Sequence, residues 1–422
     1  MAEQTTEPRV AQLAKIISSS VSKLQDILTA QNAPLPSFDE NAPFELPKEA
    51  SEVQDAIVDA TAELHDLLLD PVTLLLFNGG HTNMVCLQAI TRFKIASMVP
   101  ENGQVSYEAL AEKTCMSEPV LRRLLQYAMM MRVFREPEPG MVAHTKISRA
   151  LVNPQMNDWM SSGAEDGWPS ASKMVDALEK WPKSQEANET GFALANNTSE
   201  DIYTILAKDP VRAQRFANSM AATTSKPEYD AIHAVRNYDW ASLGNATIVD
   251  VGGAQGHIAI ELLKHFDNLN IIVQDMQATV DGAKETVKLP ENLQGRLSFQ
   301  GHDFFQPQTV EADAYFLRWI LHNWSDKHAV KILRSLIPAL KPGSRIITMD
   351  PCMPERGAIP LWKERIARMG DITMGAILNA RERTQGEWKT LFADADPRFE
   401  LKEIIQPADS AFALLDIRWN GS

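Results

Sequence analysis

Between residues 250 and 256 the chain reads Asp-Val-Gly-Gly-Ala-Gln-Gly, which sets a carboxylate beside bare backbone. Gly252, Gly253 and Gly256 allow a tight turn and close approach of a ligand to the main chain, and a helix beginning there offers unpaired N–H groups. The spacing Asp-x-Gly-x-x-x-Gly is not the Gly-x-Gly-x-x-Gly of dinucleotide binders. Nor is it a P-loop, because no Gly-Lys-Ser/Thr follows. A second acid, Asp275, lies 19 residues beyond Gly256, close to the roughly 20-residue offset at which a carboxylate reaches ribose hydroxyls. The chemistry implied is capture of a nucleoside through its ribose, with no pyrophosphate required.

Strands must carry these groups. Residues 247–251 are an apolar, β-branched run suited to a buried parallel strand. Residues 270–275, 297–300, 312–317 and 344–349 also read as strands; 297–300 leads into Gly301-His302-Asp303-Phe304-Phe305 and 312–317 into Arg318-Trp319-Ile320-Leu321-His322-Asn323-Trp324. Ser325 is placed to cap a helix from Asp326 to about Ile337, which Pro338 and Lys341-Pro342-Gly343 stop. Strands alternating with helices predict a Rossmann-like α/β domain with a doubly wound, mostly parallel sheet. Ligands of such sheets lie off the carboxyl ends of the strands, so Gly252, Asp275, Asp303 and Arg318 are expected to converge on one crevice.

These residues resemble the S-adenosylmethionine-dependent O-methyltransferases of the plant caffeate and flavonoid type, including their fungal secondary-metabolite branch. The likeness covers most of the chain and is densest over residues 201–384, including the helix-like stretch 209–220. It implies that Gly252 and Gly253 hold the methionyl part of S-adenosylmethionine, that Asp275 accepts from both ribose hydroxyls, and that Met276 and Phe304 sandwich the adenine. Asp303 would take the adenine amino group, and Arg318 stands where the family has Lys or Arg near the cofactor. Two departures are Ala254, where a third glycine is common, and His302, where plant members usually have Gly; His302 has no evident role.

Methyl transfer from a sulfonium is an in-line displacement, so positioning dominates. A phenol, with a pKa of roughly 10, needs a base to take its proton near neutrality. Of the nine histidines, His322 directly follows a strand end beside the crevice and matches the family's catalytic histidine. A neutral imidazole acting as base needs a carboxylate on its other nitrogen. Asp350, 28 residues on, and Glu382, a further 32, match the positions that frame that histidine. The family more often has Glu at the first, so Asp350 is one methylene short. Asn323 replaces a frequent Asp and removes a negative charge beside the base. The bland alternatives are that Asp350 caps a turn and that Glu382 pairs with Arg381 or Arg383 on a solvated surface.

The 422 residues, 44% hydrophobic and 23% charged, suit an ordinary globular protein of two or three domains. We expect a helical, winged-helix dimerisation domain over residues 1–200 and the cofactor domain over 201–422. Residues 8–30 and 51–69 have helical apolar spacing around a Pro-rich loop at 32–47. Ser106 and Ser117 open further helices, and strands near 133–134 and 141–142 complete a winged helix-turn-helix. That motif alone would suggest a DNA-binding regulator, but a net charge of −14 with few clustered basic residues argues against nucleic acid. In the resembled family the same fold dimerises and closes the partner's pocket, with Met84, Met129, Met130 and Met131 as interface or pocket residues. No segment approaches a membrane span or a signal sequence, so a cytoplasmic protein is expected. Cys86, Cys115 and Cys352 show no disulfide framework or metal spacing. The segments 157–168 and 180–182 read as loop-rich, with Trp159, Trp168 and Trp181 able to stack a planar acceptor, and Trp362, Met369 and Met374 could line an opposite wall. The expectation is a homodimeric O-methyltransferase acting on a phenolic or enolic hydroxyl of a small aromatic or polyketide-like metabolite. A second reading is a pericyclase that binds the cofactor without transferring the methyl.

Overall fold

The computed structural model describes residues 7–421. They form two compact units, neither of them one continuous stretch: the first holds residues up to 168 with 209–222 and 356–366, the second 169–208, 223–355 and 367 onward. Among the described residues no helix is long and apolar enough to cross a membrane.

The first unit begins with the helices Arg9–Ala30 and Ser51–Leu68, the loop over 32–47 lying between them as read. Its winged part comprises the helices Tyr107–Glu112 and Glu118–Met130 and three strands, β1 (Gln104–Ser106), β2 (Phe134–Arg135) and β3 (Met141–His144), in the order β1-β3-β2. Ser106 caps its helix by accepting from the Ala109 N–H at 3.2 Å, whereas Ser117 occupies the cap position without that bond. Leu110, Leu121, Leu125 and Met129 pack the core, while Met130 is exposed. The Trp-rich stretch is helical rather than loop-rich. It runs through Pro154–Ser162 and a π-turn at Gly163–Gly167, and continues, within the second unit from Pro169 onward, as Trp168–Ser172 and Met174–Lys180. Asn153 accepts from the Gln155 and Met156 N–H groups ahead of Pro154, a strong helix start, and the glycines are absorbed into the single wide turn. Two later segments complete this unit. Arg215 from Pro210–Thr224 pairs with Asp166 at 3.0 Å, and the N–H groups of Leu361 and Trp362 donate to Asp59 at 2.7 and 3.0 Å.

The second unit is built on a seven-stranded sheet: β4 (Ala246–Val251), β5 (Leu269–Asp275), β6 (Leu297–Gly301), β7 (Ala314–Arg318), β8 (Arg345–Asp350), β9 (Phe399–Ile405) and β10 (Ala413–Trp419), in the order β6-β5-β4-β7-β8-β10-β9. β4 to β8 pair in parallel, and β10 runs antiparallel to β8 and β9. Alternate residues feed two cores. Ile248, Ile271 and Phe316 meet Ile258 and Leu262 of His257–His265, while Val249, Tyr315 and Leu317 meet Leu333 of Asp326–Leu336 and Trp388 of Gln385–Ala395. This is the doubly wound, mostly parallel α/β fold expected. Burial on both faces explains why β4, β7 and β8 read as largely apolar runs. Ser325 sits at the cap of Asp326–Leu336 but does not cap it; its hydroxyl donates to the Gln185 carbonyl at 2.7 Å. Apart from Val251, which the glycine turn follows, β5 to β8 end at Asp275, Gly301, Arg318 and Asp350, so the carboxyl edge of the parallel strands gathers the candidate site.

Candidate active site

At the end of β4 the backbone enters the left-handed region at Gly252 (φ 74°), Ala254 (φ 50°) and Gly256 (φ 72°). The Gly252 and Gly253 N–H groups both donate to the Gln274 carbonyl, at 2.7 and 3.2 Å, folding the turn back on β5. A Cβ on Gly252 would meet Ile320 Cδ1 at 2.5 Å, and one on Gly253 would collide with the Asp250 carboxylate. Gly253→Ala is therefore expected to lower stability by about 1–3 kcal/mol, the usual toll of overpacking, read as a drop in thermal midpoint; an unchanged midpoint would mean the turn has room to relax. Ala254, where a glycine is common, holds its positive φ with help from Asp275, whose Oδ2 accepts the Ala254 N–H at 3.0 Å while Oδ1 accepts the Met276 N–H at 2.8 Å.

The remaining nucleoside candidates follow the next strand ends. Met276 is exposed and Phe304 half-buried, its ring 5.0 Å from Phe305 and 6.0 Å from Trp324. Asp303 Oδ1 accepts the Phe305 N–H at 2.9 Å, and its Oδ2 has only a long contact, 3.4 Å, from the Gln306 side-chain amide. Arg318 donates through Nη2 to the Tyr229 carbonyl at 2.8 Å and lies 5.0 Å over the Phe412 ring, with Nε buried and unpartnered. Burial pushes the Asp250 carboxyl up to about 7, against the pull of Arg318 and with a further push from Asp275. His302, for which the sequence offered no role, donates its backbone N–H to the Asp275 carbonyl at 2.8 Å; burial lowers its imidazole, Asp303 opposing.

This set fits an adenosine bearing a sulfonium. The turn at Gly252 and Gly253 has no room for side chains, the paired oxygens of Asp275 suit a vicinal diol, and Asp303 suits an amino group. Met276 and Phe304 offer flat or polarisable apolar faces.

The base candidate comes from the loop after β7. Trp319 takes φ 60°, a conformation costing roughly 1–3 kcal/mol for a side chain of its size, and a short 3-10 turn, Leu321–Asn323, then buries His322. Arg383, fully buried, clamps that loop. It donates to the Leu321 carbonyl at 3.0 Å, to the Trp324 carbonyl at 2.8 Å and to Asp326 at 2.9 Å. His322 Nδ1 lies 2.9 Å from Glu382 Oε1, the two side chains being 6% and 9% exposed, and the imidazole stacks on Trp319 with centroids 5.8 Å apart. Glu382 is in turn fixed by its own N–H donating to Asp371 Oδ1 at 2.8 Å. The solvated pairing considered for Glu382 is thus absent: Arg381 and Arg383 both bond Asp326 instead.

Asp350 behaves differently. It is completely buried and neither carboxylate oxygen has a hydrogen-bond partner. Burial pushes its carboxyl up to about 6, the Glu382 charge adding to the rise and His322 and Arg383 opposing it. With the folded value above the unfolded one, the stability this group contributes is full below about pH 4 and is lost as pH rises through about 6. Asp350→Asn should therefore gain thermal stability relative to the parent between pH 4.5 and 7.5, by a few kcal/mol at most. A midpoint difference independent of pH would mean that Asp350 titrates normally.

Trp319, Asp371 and Arg383 were not picked out as functional from the sequence; only the adjacency of Trp319 and Arg383 to matched residues signals them, and nothing in the sequence points to Asp371. Trp362 is tied elsewhere, its indole N–H donating to Asp55 at 2.9 Å, and Trp181 carries the Lys180 ammonium 4.4 Å over its ring.

Comparison with known proteins places residues 178–396 in an O-methyltransferase domain family and residues 75–154 in an O-methyltransferase dimerisation domain family. The chain is 41% identical to the O-methyltransferase PaMT of Phomopsis amygdali, over 98% of this chain and 97% of that one. It is 35% identical to a chlorophenol O-methyltransferase of Trichoderma longibrachiatum, over 99% and 91%. Among solved structures, LepI in complex with SAM superposes with a TM-score of 0.70 at 25% identity, covering 97% of this chain and all of that one.

Proposed function

Because this chain belongs to the S-adenosylmethionine-dependent O-methyltransferases of the plant caffeate and flavonoid type, we propose that it methylates a phenolic or enolic hydroxyl of a small aromatic or polyketide-like metabolite, with His322 as general base. Its cofactor is S-adenosylmethionine, which when bound supplies an electrophilic methyl on a sulfonium sulfur. Gly252, Gly253, Asp275, Met276, Asp303, Phe304 and Arg318 would hold that cofactor in the roles their chemistry suits.

The buried His322–Glu382 pair carries the reading of the base. A carboxylate accepting from Nδ1–H fixes the tautomer and leaves Nε2 with its lone pair for the acceptor hydroxyl. Nε2 would take the proton of an acceptor hydroxyl, and the imidazolium so formed would be stabilised by Glu382 at 2.9 Å and by the Asp350 carboxyl nearby. Trp319 and Arg383 keep the ring and its loop in place. The relative named for chlorophenol supports a phenolic acceptor.

A homodimer is favoured by the match to the family's dimerisation domain and by the apolar surface of the helix Pro71–Gly79, where Val72, Leu75 and Leu76 are more than two-thirds exposed. A pericyclase needs no base in this position, and His322 with Glu382 disfavours it. Incubation of the purified protein with methyl-labelled S-adenosylmethionine and a panel of phenols tests the reading: label should appear on at least one hydroxyl. Turnover of an acceptor in the presence of cofactor, with no label transferred, would establish the pericyclic alternative.

A further inference from the structure

The expected adenine contact, Asp303, also lines an open cleft. This cleft, of about 610 Å³, is lined by residues of the segments 186–188 and 199–204 and by Asp303, Phe305, Gln306, Trp324, His328 and Lys331. The turn residue Gly252, Asp275 and Met276 are not in its wall, so it lies beyond Asp303 and apart from the rest of the nucleoside set. Its size is in the range of small-molecule sites, and its lining mixes rings and charge: Phe305 and Trp324 pack edge to face at 4.7 Å with His328 within 6.0 Å of both, Lys331 lies 5.1 Å over the Phe305 ring, and Glu186 pairs with His328 at 3.2 Å.

The hydrogen bonds of Asp303 decide what can enter. One oxygen is held by the Phe305 N–H, and the other has only the long contact from the Gln306 side chain, which is exposed and itself lines the cleft. An exocyclic amino group has two hydrogens. Donating one to Asp303 Oδ2 leaves the second free, and a single substituent in its place keeps the bond intact while projecting away from it. Displacing a 3.4 Å contact loses little.

Resting on the cofactor placement proposed above, we infer that the protein binds S-adenosyl ligands carrying one bulky apolar group on the adenine amino nitrogen, seating that group against Phe305 and Trp324. Doubly substituted adenines are excluded, because they have no N–H left for Asp303.

Calorimetric titration of the full chain with S-adenosylhomocysteine, its N6-benzyl derivative and its N6,N6-dimethyl derivative tests this. The benzyl compound should bind within roughly tenfold of the parent ligand, and the smaller dimethyl compound roughly tenfold or more weaker than the benzyl one, as expected for a lost hydrogen bond to a charged acceptor. Ser199→Trp, at an exposed position in the lining, should weaken the benzyl ligand by roughly tenfold or more and leave the parent unchanged. Benzyl binding a hundredfold or more weaker than parent, dimethyl binding as tight as benzyl, or an indifferent Ser199→Trp would each overturn the inference. Failure of the underlying placement looks different: Asp303→Asn would then leave the affinity for unmodified S-adenosylhomocysteine untouched.

Discussion

His322→Ala should lower kcat for methyl transfer by about 10²-fold to 10⁴-fold at pH 7, the usual contribution of a positioned base, and leave the dissociation constant for S-adenosylmethionine within about twofold. The expectation rests on a separation visible in the structure. The imidazole is held by Glu382, Trp319 and the loop that Arg383 clamps, whereas the cofactor candidates other than Arg318 sit on the ends of other strands. The deficit should also shrink as the medium is made more basic, because an acceptor phenol with a pKa of roughly 10 ionises without help there. Measured from pH 7 to 9.5, the variant's rate should climb by about tenfold per unit while the parent's stays comparatively flat. A loss that is constant across that range, or one accompanied by failure to bind cofactor, would assign His322 a structural part only.

Glu382→Gln should lower kcat by about 10²-fold to 10³-fold. Replacing the carboxylate of a catalytic triad by its amide costs about 10⁴-fold in the serine proteases, because the imidazole is held in the wrong tautomer. The loss here should be smaller because the Asp350 carboxyl remains near the ring and can still favour the imidazolium. The two residues act as a unit, so the double variant His322→Ala with Glu382→Gln should be no slower than His322→Ala alone. Multiplicative losses in the double variant would show that Glu382 acts on the reaction by a route other than the imidazole.

The parallel core was legible because β4, β7 and β8 are buried along nearly their whole length and read as largely apolar runs, and the strands β4 to β8 each end within a residue or two of the expected limit. The short strand Gln104–Ser106 was not, being three residues long with no periodicity to show. The helices across 154–180 were hidden by Gly163, Gly167 and Pro169, residues that break helices unless a wide turn and a first-turn proline use them. Ser325 shows the limit of local rules: its hydroxyl goes to Gln185, 140 residues away, in place of its own helix. The candidate site divides the same way. Strand-end groups such as Asp275 and Asp303 are positioned by local patterns, whereas the contact of Glu382 with His322 across 60 residues, and the lack of any hydrogen bond to Asp350, depend on how Asp371 and Arg383 place the loops.

The discontinuity of the first unit bears on how the chain is made. Its early residues up to 168 leave the ribosome well before the partners that Asp55 and Asp59 require, since Leu361, Trp362 and Lys363 are translated about 200 residues later. At roughly 5–20 residues per second that is a delay of about 10–40 s, during which Asp55 and Asp59 lack those donors. Nascent chains stalled before residue 356 should therefore remain protease-sensitive and bind holdase chaperones, and fragments ending near residue 200 should be poorly soluble when expressed alone.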